Sequence, residues 1–170
     1  MNNSKGIFFL MFKAPVQLSD LEYDVHKELL SYWNKIRGSK PMPSRTDFDP
    51  IDVPGLLTHI SMVDVEPKTE RYKYRLVGSE TVTGVGEDYT GRYLDELPVM
   101  SGVIERYNWM RENKIPYLYR GQFIWSKKDY LDYCALNLPF SDDGVTVNII
   151  MTGVVCFLSN HTERQYPRKR

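Results

Sequence analysis

Residues 117–157 read YLYRGQFIWSKKDYLDYCALNLPFSDDGVTVNIIMTGVVCF. Three apolar, strand-like runs at 117–125, 130–139 and 145–157 are separated by Ser126-Lys127-Lys128-Asp129 and by Ser141-Asp142-Asp143-Gly144. Polar turns this short join only antiparallel neighbours, so the stretch predicts a three-stranded meander. Upstream, from His59, Ile60 and Met62 alternate with Ser61, Val63 and Val65, as a strand with two faces requires. Pro67-Lys68-Thr69-Glu70 supplies a turn, and residues 71–77 set Tyr72, Tyr74 and Leu76 against Lys73, Arg75 and Val77. This hairpin has one aromatic face and one basic face. Pairing the last strand with the first gives a five-stranded antiparallel sheet of order 2-1-5-4-3, with helices on one face. That is an α+β layout.

The remaining elements are helical. Leu21, Val25, Leu29, Tyr32 and Ile36 recur at steps of three and four, which predicts an amphipathic N-terminal helix within residues 19–38, widened by Leu30 and Trp33. Ser19 and Glu22 stand where a capping box would form, and Gly38 where a left-handed stop belongs. A proline-rich connector, Lys40-Pro41-Met42-Pro43, leads to Asp49-Pro50, an N-cap followed by proline at the first position of a short helical turn. Residues 79–98 read as short turns and loops, with glycines at positive φ rather than a phosphate-binding loop. Residues 98–113 read as a longer helix with Val99, Val103, Tyr107 and Met110 on one face and Met100 and Ile104 beside them. The expected organisation is a leading segment 1–17, a domain 18–158 and a basic tail 159–170.

Composition narrows the function classes. Lys and Arg total 22 and Asp and Glu total 22, which argues against a dedicated nucleic-acid binder. The apolar run Ile7-Phe8-Phe9-Leu10-Met11-Phe12 is far shorter than the roughly 20 residues of a membrane span. It reads as a segment that docks on the domain or on a partner, and the expected location is cytoplasmic. Two cysteines, Cys134 and Cys156, are too few for a disulfide framework.

The stretch Trp33…Arg37-Gly38…Pro43-Ser44-Arg45…Asp47-Phe48-Asp49-Pro50 resembles the leader of a proteobacterial family of PAS-like sensory domains. Tyr72-Lys73-Tyr74-Arg75-Leu76-Val77-Gly78-Ser79 is similar to its second strand. Gly86-Glu87-Asp88-Tyr89-Thr90-Gly91-Arg92 resembles the turn that follows it, and Leu138-Pro139-Phe140-Ser141-Asp142-Asp143-Gly144 the last hairpin. The resemblance covers residues 19–158 and implies a stand-alone sensor or interaction module of bacterial signal transduction, not an enzyme. It also implies a small ligand held between sheet and helices, and a homodimer joined through the N-terminal helix. A signalling protein such as a kinase would read the state.

Cofactor chemistry finds little support in the residues. Both cysteines fall in expected strands, outside any flavin-photosensing motif, and residues 98–113 hold no histidine for haem, so neither cofactor is expected. Glu22 and His26 are spaced for a metal pair, but a solvated surface pair is the simpler reading. Cys134 reads as a small buried hydrophobe. Arg75 should face away from Tyr74 and pair with Asp47 or Asp49. The aromatics are more informative: Tyr72, Tyr74, Val103, Tyr107, Met110, Tyr119 and Phe123 converge as candidates to line one ligand cavity. The alternative is that they fill the core themselves and the chain is a protein-interaction adaptor, its partner surface formed by Leu21, Val25, Leu29, Tyr32 and Ile36.

Overall fold

A computed structural model describes residues 12–123 and 131–158. Six strands form one antiparallel sheet: β1 (Phe12–Lys13), β2 (Ile60–Val65), β3 (Tyr72–Leu76), β4 (Tyr117–Gln122), β5 (Leu131–Phe140) and β6 (Ile149–Leu158). Their order is β1-β4-β5-β6-β2-β3. The five expected strands therefore hold the expected neighbours, and Phe12 and Lys13 add a sixth at the β4 edge, opposite Tyr119 and Leu118. Three α-helices among the described residues accompany the sheet: α1 (Asp24–Arg37), α2 (Ser79–Val85) and α3 (Ser101–Asn113).

Pairing register sorts the side chains onto two faces. Gly153 of β6 stands opposite Leu136 of β5 and Ile60 of β2, and Leu136 stands opposite Leu118 of β4. With side chains alternating along each strand, Ile60, Met62, Leu136, Leu138, Met151 and Gly153 share an outer face. Tyr74, Tyr117, Tyr119, Tyr133, Ala135, Asn137, Thr152 and Val154 share the inner one. Helix α1 covers the outer face. Its Leu29, Leu30 and Trp33 are buried, and the Trp33 indole donates to the Pro139 carbonyl at 3.0 Å. Helices α2 and α3 cover the inner face.

Local chemistry moved several expected boundaries. Helix α1 begins at Asp24, because the chain first closes a 3-10 turn at Leu18–Asp20, where the Asp20 carboxylate accepts from the Gln17 N–H at 2.8 Å. The Ser19–Glu22 capping box does not form at α1, whose N-cap is Tyr23 without a side-chain cap bond; Gly38 at φ 55° does stop it. The Asp49 carboxylate caps Ile51 at 2.9 Å as expected, with Pro50 opening the turn. Strand β6 starts at Ile149, not at Val145, since the Asp143 carboxylate collects the N–H groups of Val145 at 2.8 Å and Thr146 at 2.6 Å. Those bonds favour a turn over a ladder. Val99 leaves the apolar face of α3: it precedes the helix at φ 61° and is exposed. Ile124, Trp125, Tyr130, the loop 126–129 and the tail lie outside the described residues.

Two polar expectations also changed. Arg75 does face away from Tyr74, but it pairs with Asp64 on the adjacent strand at 2.8 Å, while Asp47 pairs with Lys40 and Asp49 is occupied as a cap. His26 is not a surface residue. It is fully buried on the sheet-facing side of α1, with Nε2 on the Gly153 carbonyl at 3.0 Å, and Glu22 instead reaches Arg120 at 3.4 Å.

Candidate functional site

Between the inner sheet face and helices α2 and α3 lies a cavity of about 60 Å³. Its floor comes from β3 to β6, and its roof from Thr81 and Val85 of α2, Met100, and Val103, Arg106 and Tyr107 of α3. Five of the seven expected lining residues meet there: Tyr74, Val103, Tyr107, Tyr119 and Phe123. Two do not line it. Tyr72 sets its ring edge-on to Tyr107, centroids 5.3 Å apart, and its hydroxyl donates to Asn108 Oδ1 at 2.6 Å. Met110, one helical turn beyond Tyr107, is fully buried in the core.

Polar groups cross this aromatic interior in one direction. The Thr152 hydroxyl donates to Asn137 Oδ1 at 2.9 Å, and the Asn137 amide donates to the Ala135 carbonyl at 3.1 Å. Because the Thr152 proton is already committed, Tyr107 must be the donor in the 3.4 Å contact between their hydroxyls. Tyr107, Thr152 and Asn137 are all buried, so this chain is the polar content of an otherwise apolar floor. Burial raises the hydroxyl pKa values of Tyr74, Tyr107, Tyr117 and Tyr133, and for Tyr107, Tyr117 and Tyr133 the Arg106 guanidinium pulls the other way. All four phenols stay protonated at neutral pH. They act as hydrogen-bonding groups, not as bases or nucleophiles.

Arg106 supplies the charge. Its guanidinium lies 3.6 Å from the centroid of the Tyr119 ring. That ring can lean as it does because residue 121 is glycine. A β-carbon there would stand 2.5 Å from Tyr119 Cε1 and 3.2 Å from the Tyr133 hydroxyl oxygen.

Arg106, Asn137 and Thr152 are the residues that sequence reasoning missed. Asn137 was within reach, being two positions along from Ala135 and four from Tyr133 on an alternating strand. Arg106 borders the Val103–Tyr107 stripe, where a charge reads as solvated surface. Neither cysteine nor histidine lines the cavity among the described residues. Cys134 is on the outer face, its thiol pushed up to about 11 by burial, and His59 contacts the Val154 carbonyl through Nδ1 at 2.8 Å. His161 lies outside the described residues. No group of three metal-ligating side chains occurs among them.

On the outer face, Leu21, Leu29 and Tyr32 of the expected partner stripe are buried within the chain, while Val25 and Ile36 are half-buried. The Tyr32 hydroxyl also accepts from the Asp49 N–H at 3.1 Å and donates its one proton to Asp52 at 3.1 Å, tying α1 to the connector.

An antiparallel sheet of this order, with two helices and a cavity on its inner face, is the arrangement that the resemblance to PAS-like sensory domains implies. Residues 22–102, from the start of α1 to the start of α3, match the model of the PAS domain family, which implies a sensory or regulatory module. No curated protein and no solved structure matches the chain. Among the described residues no helix is long and apolar enough to cross a membrane.

Proposed function

We propose that this chain is a PAS-type regulatory module of bacterial signal transduction. It holds a small ligand between α2, α3 and the inner sheet face, and it conveys occupancy through α1 to a partner protein or a second copy, without catalysis. The observation that carries this reading is the adjacency of Thr152 and Gly153 on β6. Thr152 belongs to the hydrogen-bonded chain of the cavity floor. The next residue, Gly153, receives Leu29 and His26 of α1 on the opposite face. A ligand that re-forms the Thr152 bonds therefore acts one peptide unit from the seat of α1. It shifts the packing of α1 to the extent that it binds one arrangement better than the other.

The adaptor reading keeps one specific support. A cavity of about 60 Å³ is small beside the roughly 300–1,000 Å³ typical of sites for drug-sized ligands, so the aromatics nearly fill their own core. In both readings the balanced charge favours protein or small-molecule partners over nucleic acid, and the setting is cytoplasmic.

Native mass spectrometry of the freshly purified protein, followed by denaturation to release any bound molecule, separates the two. A stoichiometric small molecule supports the sensor. An empty protein at dimer mass, with no fragment-sized compound perturbing the cavity by NMR, supports the adaptor.

A further inference from the structure

The lining of the cavity is electrically one-sided. Arg106 is its one charged side chain, and no Asp or Glu lines it among the described residues. Arg106 also makes no ion pair among them. This half-buried cation sits at the cavity wall with one face of its guanidinium on the Tyr119 ring. Stacking of that kind occupies the π face, and the N–H edge, which also hydrogen-bonds the Tyr117 hydroxyl, keeps further donors for a planar anion. The neighbouring phenols, kept protonated by burial, bring no competing negative charge.

Size sets the other limit. A single water needs at least about 10–15 Å³ of such space. The roughly 60 Å³ found here therefore admits on the order of four to six non-hydrogen atoms. The walls away from Arg106 are apolar, with Val103, Ala135 and Val154 among them. A matching molecule has a carboxylate at one end and one to three carbons behind it.

Resting on the sensory reading above, we infer that the cavity takes a short-chain monocarboxylate, with its carboxylate on the Arg106 guanidinium and its alkyl end against Val103, Ala135 and Val154. The anion offsets a charge that has no ion-pair partner among the described residues. The short tail displaces water from an apolar wall.

The test is an NMR titration of the full chain with propionate, its neutral isostere propionamide, and the bulkier benzoate, at constant ionic strength with chloride as counter-ion control. Propionate should shift the amide resonances of residues 135, 137, 152 and 154 saturably, with propionamide and benzoate at least tenfold weaker. Arg106→Gln should lose at least tenfold in propionate affinity while keeping a dispersed native spectrum, and Arg106→Lys should recover part of the loss. Equal affinity for propionamide overturns the anion and leaves the cavity as a neutral-ligand site. Equal affinity for benzoate overturns the size limit. Propionate shifts confined to surface residues, or none at all, overturn the inference. A stoichiometric ligand of another class released in the native mass measurement would do so too, while preserving the sensory reading. An empty protein that no probe perturbs at the cavity removes both.

Discussion

Leu29 places its Cδ2 methyl 2.6 Å from where a β-carbon on Gly153 would stand, so Leu29 can take this seat on the outer sheet face because residue 153 has no side chain. Leu29 is itself fully buried, and His26, one turn earlier, bonds the Gly153 carbonyl at 3.0 Å. The helix thus makes a close approach to the sheet at Gly153, with Trp33 bonded to Pro139 further along. The approach at Gly153 lies directly behind the hydroxyl chain of the cavity floor.

Gly153→Val should push Leu29 out of its seat and cost about 1–3 kcal/mol, as overpacking does. Leu29→Ala, which empties the same seat, should cost about 2–5 kcal/mol. Urea denaturation midpoints measure both. If Gly153→Val leaves the midpoint unchanged, α1 does not bear on this strand as described.

His26 predicts an acid sensitivity above the carboxylate range. Burial lowers its pKa from 6.5 to about 4 in the folded chain. The unfolded state thus takes up a proton at higher pH than the folded state. Stability is full above pH 6.5 and declines as pH falls toward 4. At about 1.4 kcal/mol per pH unit, roughly 2 kcal/mol should be lost between pH 6.5 and 5. The test is ΔG from urea melts across that window, with His26→Leu expected to flatten the profile. A wild-type profile that is already flat would rule out the linkage.

In the cavity floor, Thr152→Val removes the donor to Asn137 Oδ1 and leaves a buried acceptor unpaired. The expected cost is about 1–3 kcal/mol, with Thr152→Ser nearly neutral because it keeps the hydroxyl. Chemical denaturation checks the pair. Equal costs for the two variants would mean that the Thr152 methyl, not its hydroxyl, matters.

Gly121→Ala should force the Tyr119 ring away from its place, since the new β-carbon would meet Cε1 at 2.5 Å. Arg106, stacked on that ring, should move with it. The readout is the Arg106 side-chain Nε resonance, which should shift well beyond the change at distant arginines such as Arg75. An unmoved resonance would show that the stacking does not hold Arg106.

Association through α1 has a sharper probe than its central leucine. Because Leu29 belongs to the chain's own core, a polar change there unfolds the domain and says nothing about partners. Val25 is half-buried and remains available. Val25→Asp should convert a dimer to a monomer by light scattering while leaving the melting temperature within a few degrees. A dimer that survives the change places the contact elsewhere.

Much of the fold could be read along the chain because its information is local. Alternation at residues 60–65 and 72–76, and the short polar turns of the last three strands, dictate antiparallel neighbours wherever the rest of the chain goes. The cavity was legible by half for the same reason. Tyr74, Tyr107 and Tyr119 lie on apolar faces that periodicity exposes. Arg106 carries a charge that periodicity assigns to solvent, and Thr152 and Asn137 carry polar side chains of the same kind.

What the amino-acid sequence determined by itself is which side chains share a face: period two for the strands, three to four for α1 and α3. Only the tertiary structure decided which face meets which. The Tyr107–Thr152–Asn137 chain joins one helix and two strands, and it exists only once α3 crosses the sheet at that register. Likewise, α1 was amphipathic on any reading, but the seat of its Leu29 on the sheet uses a gap the size of a β-carbon at Gly153. Periodicity is a property of neighbours in the chain, whereas steric fit and hydrogen-bond closure depend on atoms that folding alone brings together.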